Sequence, residues 1–456
     1  MSSYYLYGAG KYVEYFVQMI LYFGDNVAGI LDGDIKKQGR IIGGIRVYPP
    51  ENILLSGCRV IISCMATEEI REILNEMGIE NREMLVRDYL VEKLGKVHES
   101  FHIKAEKEHI CFDLCSGAEW GGAENWNYFL ADKYKKNNPD KSVMLISDEY
   151  KNFQSCIHVP IIEFTKDDDI CKIVNFFQND EGVCFVNSFF GHSFFAMLAM
   201  KIENPGRVRL ITIVHNDYKD LYRICSMFKE FIDCFICVSS KIQKNMIGVC
   251  GVQNEKVFFL HQPMEIEHRY RSKRLSGEIK IGVATRLTKQ QKRVDYLPGI
   301  IDILETKGIQ YKMFIAGDGD CYSFLDEFIR KRDLTERVIL LGRIAHDKMW
   351  DFWDDIDIYL NFSDFEGSSL SMLEAMSSSC VPIVTDVSGA RDYIEDGVNG
   401  FIVDIGDLDG ICEKIEYFSH YQEEIEVMGV RSRNSVIEKC NVDSYLCRFS
   451  RILGRG

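Results

Sequence analysis

Proline is scarce in this chain, 8 residues in 456 against 35 glycines. That balance excludes a proline-rich disordered protein and suits a fold with many strand-to-helix turns. Long apolar runs are also missing: no window approaches the ~18 apolar residues that a membrane span needs. Positive charge is in deficit, with 54 Lys and Arg against 69 Asp and Glu and a formal charge of −15. This excludes the broadly basic surface of a general nucleic-acid binder, though not a local basic groove. The start, Met1-Ser2-Ser3-Tyr4, lacks a charged and then apolar leader. The expected location is therefore the cytoplasm, with the inner face of a membrane as a peripheral alternative. Paired cysteines are nearly absent. The 16 cysteines are scattered along apolar runs, and Cys234-Phe235-Ile236-Cys237 has no second pair near it. They read as reduced packing residues and not as metal ligands. What is plentiful is core: 46% of residues are hydrophobic, enough for the two to three domains that the length suggests.

Three blocks of alternating strand and helix patterns follow one another. The first, residues 1–97, opens with a strand at Tyr4–Tyr7, the turn Gly8-Ala9-Gly10 and a helix from Lys11 to Tyr22. A strand at Val27–Leu31 ends at Asp32, and a strand at Val60–Ser63 leads to a helix at Glu68–Met77. This order predicts a parallel α/β sheet. The polar stretch Gly95–Glu108 reads as a linker. The second block, 109–264, has predicted strands at Ile110–Leu114, Val143–Ile146, Val183–Val186, Leu210–Val214 and Cys234–Val238, with a helix from Ala123. The charged stretch Glu265–Lys280 reads as a hinge. The third block, 279–430, has strands at Ile281–Ala284, Lys312–Ala316, Val338–Leu341, Ile356–Leu360 and Pro382–Val384, and residues 431–456 are helical.

The segment Phe365-Glu366-Gly367-Ser368-Ser369-Leu370-Ser371-Met372-Leu373-Glu374-Ala375-Met376 is the most informative. Two glutamates bracket seven residues, the first in a loop and the second inside a helix. The helix start between them has unpaired N–H groups and partial positive charge, which suit a phosphate. A carboxylate before it can hold sugar hydroxyls, and one two turns in can reach a ribose. The segment resembles the nucleotide-sugar site of family 4 retaining glycosyltransferases, whose GT-B fold has two Rossmann-like lobes facing a cleft. By that resemblance Glu366 is catalytic and meets the transferred sugar, Glu374 holds the ribose, and Gly367, Ser368, Ser369 and Leu370 take the diphosphate.

Other matches extend the resemblance from about Ile110 to the C-terminus. Gly282-Val283-Ala284-Thr285-Arg286-Leu287 and Lys292-Arg293 stand where the family places an arginine and a lysine on the donor diphosphate. Without a metal, the protein must supply cations for the leaving group. Arg286 can fork onto two oxygens, and Lys292 is a compact charge. Ala316-Gly317-Asp318-Gly319, Ser388–Ile394 and Gly397–Phe401 also fit. In the second block, Gly121-Gly122-Ala123-Glu124 matches the acceptor lobe, with Gly122 near the donor, His215 a catalytic candidate at a strand end, and Val238-Ser239-Ser240 at a junction near the cleft. Departures are Ser379 in place of a usual glycine, Asp392 in place of a glutamate, and Ser368-Ser369 in place of Phe-Gly. Asp32-Gly33-Asp34 and Asp318-Gly319-Asp320 match the metal motif of the other glycosyltransferase fold literally, but that fold is a single compact domain, so no metal site is expected.

The first block resembles the small nucleotide-binding domains that precede some sugar-modifying acyltransferases, in Ile30–Asp34 and Gly43–Val47 as well as the glycine turn. Its dinucleotide fingerprint lacks a third glycine. Gly8, Gly10 and Asp32 form either an accessory nucleotide site or part of an empty scaffold that docks a partner. The Tyr7/Lys11 spacing of short-chain dehydrogenases is accidental, because the glycine turn fills it.

The expectation is a retaining, hexosyltransferase-like, metal-independent enzyme needing no cofactor. Its donor is a nucleoside-diphosphate sugar such as a UDP-sugar. The resemblance implies a glycan or lipid-linked acceptor, cell-surface polysaccharide synthesis, and a last helix that crosses back to the N-terminal lobe. The alternative is a non-catalytic nucleotide-sugar sensor. Phe189-Phe190 and Phe194-Phe195 read as a buried helix, with a membrane-facing patch as the lesser alternative.

Overall fold

A computed structural model describes residues 2–55, 57–64, 66–79, 82–94, 108–114, 122–147, 158–164, 168–180, 182–266 and 277–454. Gly121, most of the expected linker and most of the expected hinge lie outside the described residues. The chain divides into two compact units: Met1–Ile213, Arg223–Phe235 and Leu453–Gly456 form one, and Val214–Tyr222 and Ile236–Ile452 the other.

The first unit begins with a six-stranded sheet in the order Ile41–Ile42, Ile45–Tyr48, Asn26–Leu31, Ser3–Tyr7, Arg59–Ile62, Glu83–Leu85. It is parallel except for the hairpin at Ile41–Tyr48. The helix after the first strand spans Val13–Tyr22, two residues later than expected, because Lys11 and Tyr12 first form a turn. It buries Val13, Phe16, Val17 and Ile20, the i, i+3, i+4, i+7 stripe of a helix with one packed face.

That stripe meets the helix His192–Glu203, which is buried along nearly its whole length. Tyr15 stacks on Phe195 with ring centres 4.8 Å apart and meets His192 edge-on at 4.7 Å. Phe16 adds edge contact with Phe195 at 5.5 Å. Phe194 and Phe195 are fully buried and Phe190 nearly so, so these residues are core and the membrane-patch alternative fails for them. At the ends of the seam Tyr22 donates to Glu203 Oε2 at 2.6 Å, and Ile170 N–H donates to Gln18.

The seven-stranded sheet runs Val257–Phe259, Cys234–Cys237, Val208–Val214, Gly182–Asn187, Glu108–Leu114, Ser142–Ser147, Ile161–Glu163. Cys234 and Cys237 are buried on its strand. Near-continuous apolar strands such as Val208–Val214 suit a sheet covered on both faces.

The second unit holds a six-stranded, all-parallel sheet in the order Val338–Gly342, Tyr311–Ala316, Ile279–Ala284, Ile358–Asn361, Val381–Thr385, Phe401–Val403. Sequence order runs outward in both directions from the pair Ile279–Ala284 and Ile358–Asn361. Such a reversal opens a crevice at the carboxyl ends of the two strands, the usual ligand position in an open α/β sheet. The C-terminal part is two helices where one was expected, Glu423–Lys439 and Val442–Leu453. Asn441 separates them and caps the second by accepting from Ser444 N–H at 2.8 Å.

Candidate functional site

The crevice between Ile279–Ala284 and Ile358–Asn361 collects most of the predicted donor residues. Arg286 and Lys292 follow the first strand, and Glu366 follows the second. The Arg286 loop is held by a glycine turn: Leu287 N–H donates to Asp318 O at 2.9 Å, and Gly317 has φ +141° with no room for a Cβ beside Thr285 O. Only glycine fits there. Arg286 is exposed, and its guanidinium makes no ion pair or hydrogen bond among the described residues.

Lys292 is ion-paired. Its Nζ lies 2.5 Å from Glu366 Oε1, and the two side chains are 16% and 8% exposed. Ser363 Oγ donates to the same oxygen at 2.7 Å. Gln291 Nε2 donates to Phe365 O at 3.0 Å and stands 3.5 Å from Glu366 Oε2. Arg293, next in sequence, points elsewhere: it adopts φ +48° and forks onto Asp364 at 3.0 and 3.1 Å. Burial lowers its pKa, but Asp295 and Asp364 together raise it above the ordinary arginine value. It anchors the loop and is not available to a ligand.

The helix Leu370–Ser377 begins at the N-cap Ser369, whose Oγ accepts from Met372 N–H. Beneath it, Tyr359 OH meets Ser369 and Ser371 Oγ at 3.2 and 3.0 Å and accepts from Asn361 at 3.0 Å. Gly367 runs directly against the carbonyl of His215, where a Cβ would collide. The Tyr218 and Phe365 rings, 6.0 Å apart, close the same approach. His215 is half-buried, and burial pushes its imidazole down to about 3, so it is neutral at ordinary pH. Asp217 fixes its loop, accepting from Tyr222 OH at 2.6 Å and pairing with Lys241 at 3.0 Å.

Glu374 lies on the helix with its side chain 15% exposed, 3.6 Å from His346 Nε2. Gly122 starts the helix Gly122–Asn137 in the first unit. The departures have physical accounts. Asp392 accepts from Ser240 N–H at 2.9 Å, at the start of a helix. Ser379 ends the helix Leu370–Ser377 with φ +62°, the left-handed geometry that explains a glycine preference.

Sequence reasoning missed Ser363, Gln291 and His346. Ser363 stands three residues before Glu366, and Gln291 precedes Lys292, so both were within reach of motif spacing. His346 carried no signal, being 28 positions from Glu374.

At the first block, Gly8 has φ +107° and its Cα lies where a Cβ would strike Cys64, while Gly10 is exposed and unconstrained. Asp32 is turned inward. It accepts from Ala9 N–H at 2.7 Å and Asp34 N–H at 2.8 Å, and pairs with Lys37 at 3.1 Å. Burial works against its charge, but those donors hold its carboxyl below the usual value. Asp318 accepts from Gly319 N–H.

Comparison with solved structures shows the fold to be α/β of the GT-B type, with the first sheet additional to it. The Anabaena protein Alr3699/HepE in complex with UDP-glucose aligns at a TM-score of 0.63 with 18% identity, over 76% of this chain and 99% of that one. TarM aligns at 0.55 with 14% identity, over 100% of this chain and 99% of that one. Residues 264–435 match the family model for glycosyl transferases group 1, so the resemblance carried by Phe365–Met376 holds for that part of the chain. Poly(ribitol-phosphate) alpha-N-acetylglucosaminyltransferase of Staphylococcus aureus (strain COL) is 25% identical over 196 residues, 42% of this chain and 38% of that protein. The chain spans less than two thirds of the first curated relatives it matches, from 38% to 54% of their length. Among the described residues no helix is long and apolar enough to cross a membrane.

Proposed function

We propose that the chain is a retaining, metal-independent glycosyltransferase that moves a sugar from a nucleoside-diphosphate donor to a glycan or lipid-linked acceptor in cell-surface polysaccharide synthesis. The observation that carries this reading is the Lys292–Glu366 pair at the sheet's switch point, with an exposed Arg286 on the same loop as Lys292. The leaving diphosphate gains charge as the sugar–oxygen bond breaks. On this reading Arg286, Lys292 and the start of the helix Leu370–Ser377 take that charge. Glu366 Oε1 is held by Lys292 and Ser363, while Oε2 has among the described residues only the distant Gln291 and is left for sugar hydroxyls. The neutral imidazole of His215 offers a hydrogen bond to the sugar without adding charge. In the retaining step the acceptor oxygen bonds to the anomeric carbon on the face the phosphate leaves, and the leaving phosphate takes the acceptor's proton. Positioning and charge stabilisation supply the rate.

A UDP-sugar donor is supported by the neighbour bound to UDP-glucose, and a polymeric acceptor by the poly(ribitol-phosphate) relative. On the same reading Gly8, Gly10 and Asp32 form either an accessory nucleotide site or part of an empty scaffold that docks a partner. The return of the chain's end to the second block is supported by Arg209, which donates to Leu453 O at 2.6 Å.

The test is nucleoside diphosphate release across UDP-, GDP- and ADP-sugars, for wild type beside Glu366→Gln. Release from one donor, lost in the variant with nucleotide binding kept, is expected. Full activity in the variant refutes the assignment. Binding without release for any donor or acceptor favours the non-catalytic sensor.

A further inference from the structure

We infer that His346 is a positioning residue that holds the Glu374 carboxylate in the free protein and yields it to the ribose hydroxyls, so that donor affinity rises as His346 loses its proton. This rests on the reading of Leu370–Ser377 as the donor site. Glu374 is largely enclosed, and His346 Nε2 at 3.6 Å is the one cation near its carboxylate among the described residues. A carboxylate so enclosed keeps a partner or takes a ligand.

His346 is placed differently. Its side chain is 74% exposed, on the short turn His346–Lys348 that follows the strand Val338–Gly342. It can swing away without disturbing any core. The charged groups facing it are Glu374, across from the helix, and Asp347 on its own turn. The Glu374 carboxylate beside it raises the imidazole above its usual value, against the opposing effect of burial. A ribose diol engages both oxygens of a carboxylate, each of which accepts hydrogen bonds. Imidazolium and ribose therefore compete for Oε1.

UDP-glucose isolates the effect. Its diphosphate is esterified at both ends, so its charge is constant over about pH 5.5 to 8.5, a range that spans the ordinary histidine value. His215, kept neutral by burial, does not titrate there either.

The experiment is calorimetric UDP-glucose affinity across that range for wild type, His346→Gln and His346→Ala. Wild type is expected to gain about threefold to fivefold from the acid to the alkaline end, as an exposed ion pair would give. Both variants are expected to bind at the alkaline wild-type level throughout. Equal slopes in wild type and variants overturn the inference and leave the donor reading standing. Weaker binding by the variants at every pH also overturns it, since His346 would then touch the donor itself. No binding by wild type at any pH overturns the donor reading and this inference together.

Discussion

Replacing Lys292 with methionine keeps most of its length and removes its charge. The Glu366 carboxylate, 8% exposed, then loses its only ion-pair partner among the described residues and keeps Ser363 Oγ at 2.7 Å. Stripping one member from a buried pair costs about 3–5 kcal/mol, because the other charge is left without compensation. Since Lys292 is itself 16% exposed, the low end applies, about 3 kcal/mol. Glu366→Gln leaves the ammonium facing a neutral amide and costs about 2 kcal/mol, in the range for a charged hydrogen bond lost. The double variant removes both charges. It is expected to cost at least about 1 kcal/mol less than the sum of the singles, the coupling typical of residues in direct contact. Urea unfolding of all four proteins measures this. Singles that add within about 0.5 kcal/mol, the behaviour of independent sites, would refute the pairing. On the proposed reading, in which the same ammonium meets the diphosphate, UDP should also raise the unfolding midpoint of wild type more than that of Lys292→Met.

Three further outcomes are expected. Ser379→Gly should stabilise the protein by about 1 kcal/mol: it relieves a left-handed φ and removes a buried hydroxyl that has no partner among the described residues, less the entropy glycine gains when unfolded. A loss of stability in urea would contradict this. Arg286→Ala should lose about 2–5 kcal/mol of donor interaction, at least roughly thirtyfold in kcat/KM, and a change under about threefold would remove Arg286 from the site. His215 stays neutral in the folded chain down to about 3, while the unfolded chain takes up its proton below about 6.5. Its contribution is therefore fully present above pH ~6.5 and is lost as pH falls from there towards 3. The unfolding midpoint of His215→Asn should fall less than that of wild type between about pH 7 and 5, and identical slopes would be contrary.

The positions of the proposed donor residues were legible because they sit next to strand ends and helix starts, where spacing fixes position. The loop and helix start within Phe365–Met376 stand where the sequence pattern put them. Pairings across the sheet were not legible. That Lys292 would spend its charge on Glu366, 74 positions away, and that Arg293 would turn to Asp364, depend on how two adjacent strands align their ends. Nor was it legible that the Asp32 carboxylate folds back onto Ala9 N–H, a choice made by loop geometry. The break at Asn441 was missed because helical periodicity continues on both sides of it.

The aromatic seam between Val13–Tyr22 and His192–Glu203 changes what the first block is. Cut away at the polar stretch where the sequence suggests a boundary, it would uncover Phe195 beneath Tyr15 and Phe16. It would also free Glu203 from Tyr22. An apolar patch of that kind draws chains together in water. A shortened protein would be expected to precipitate, not merely to lose a module. The two blocks are in that sense one inheritance: neither can drift, be swapped or be discarded unless the rings on the other side change with it.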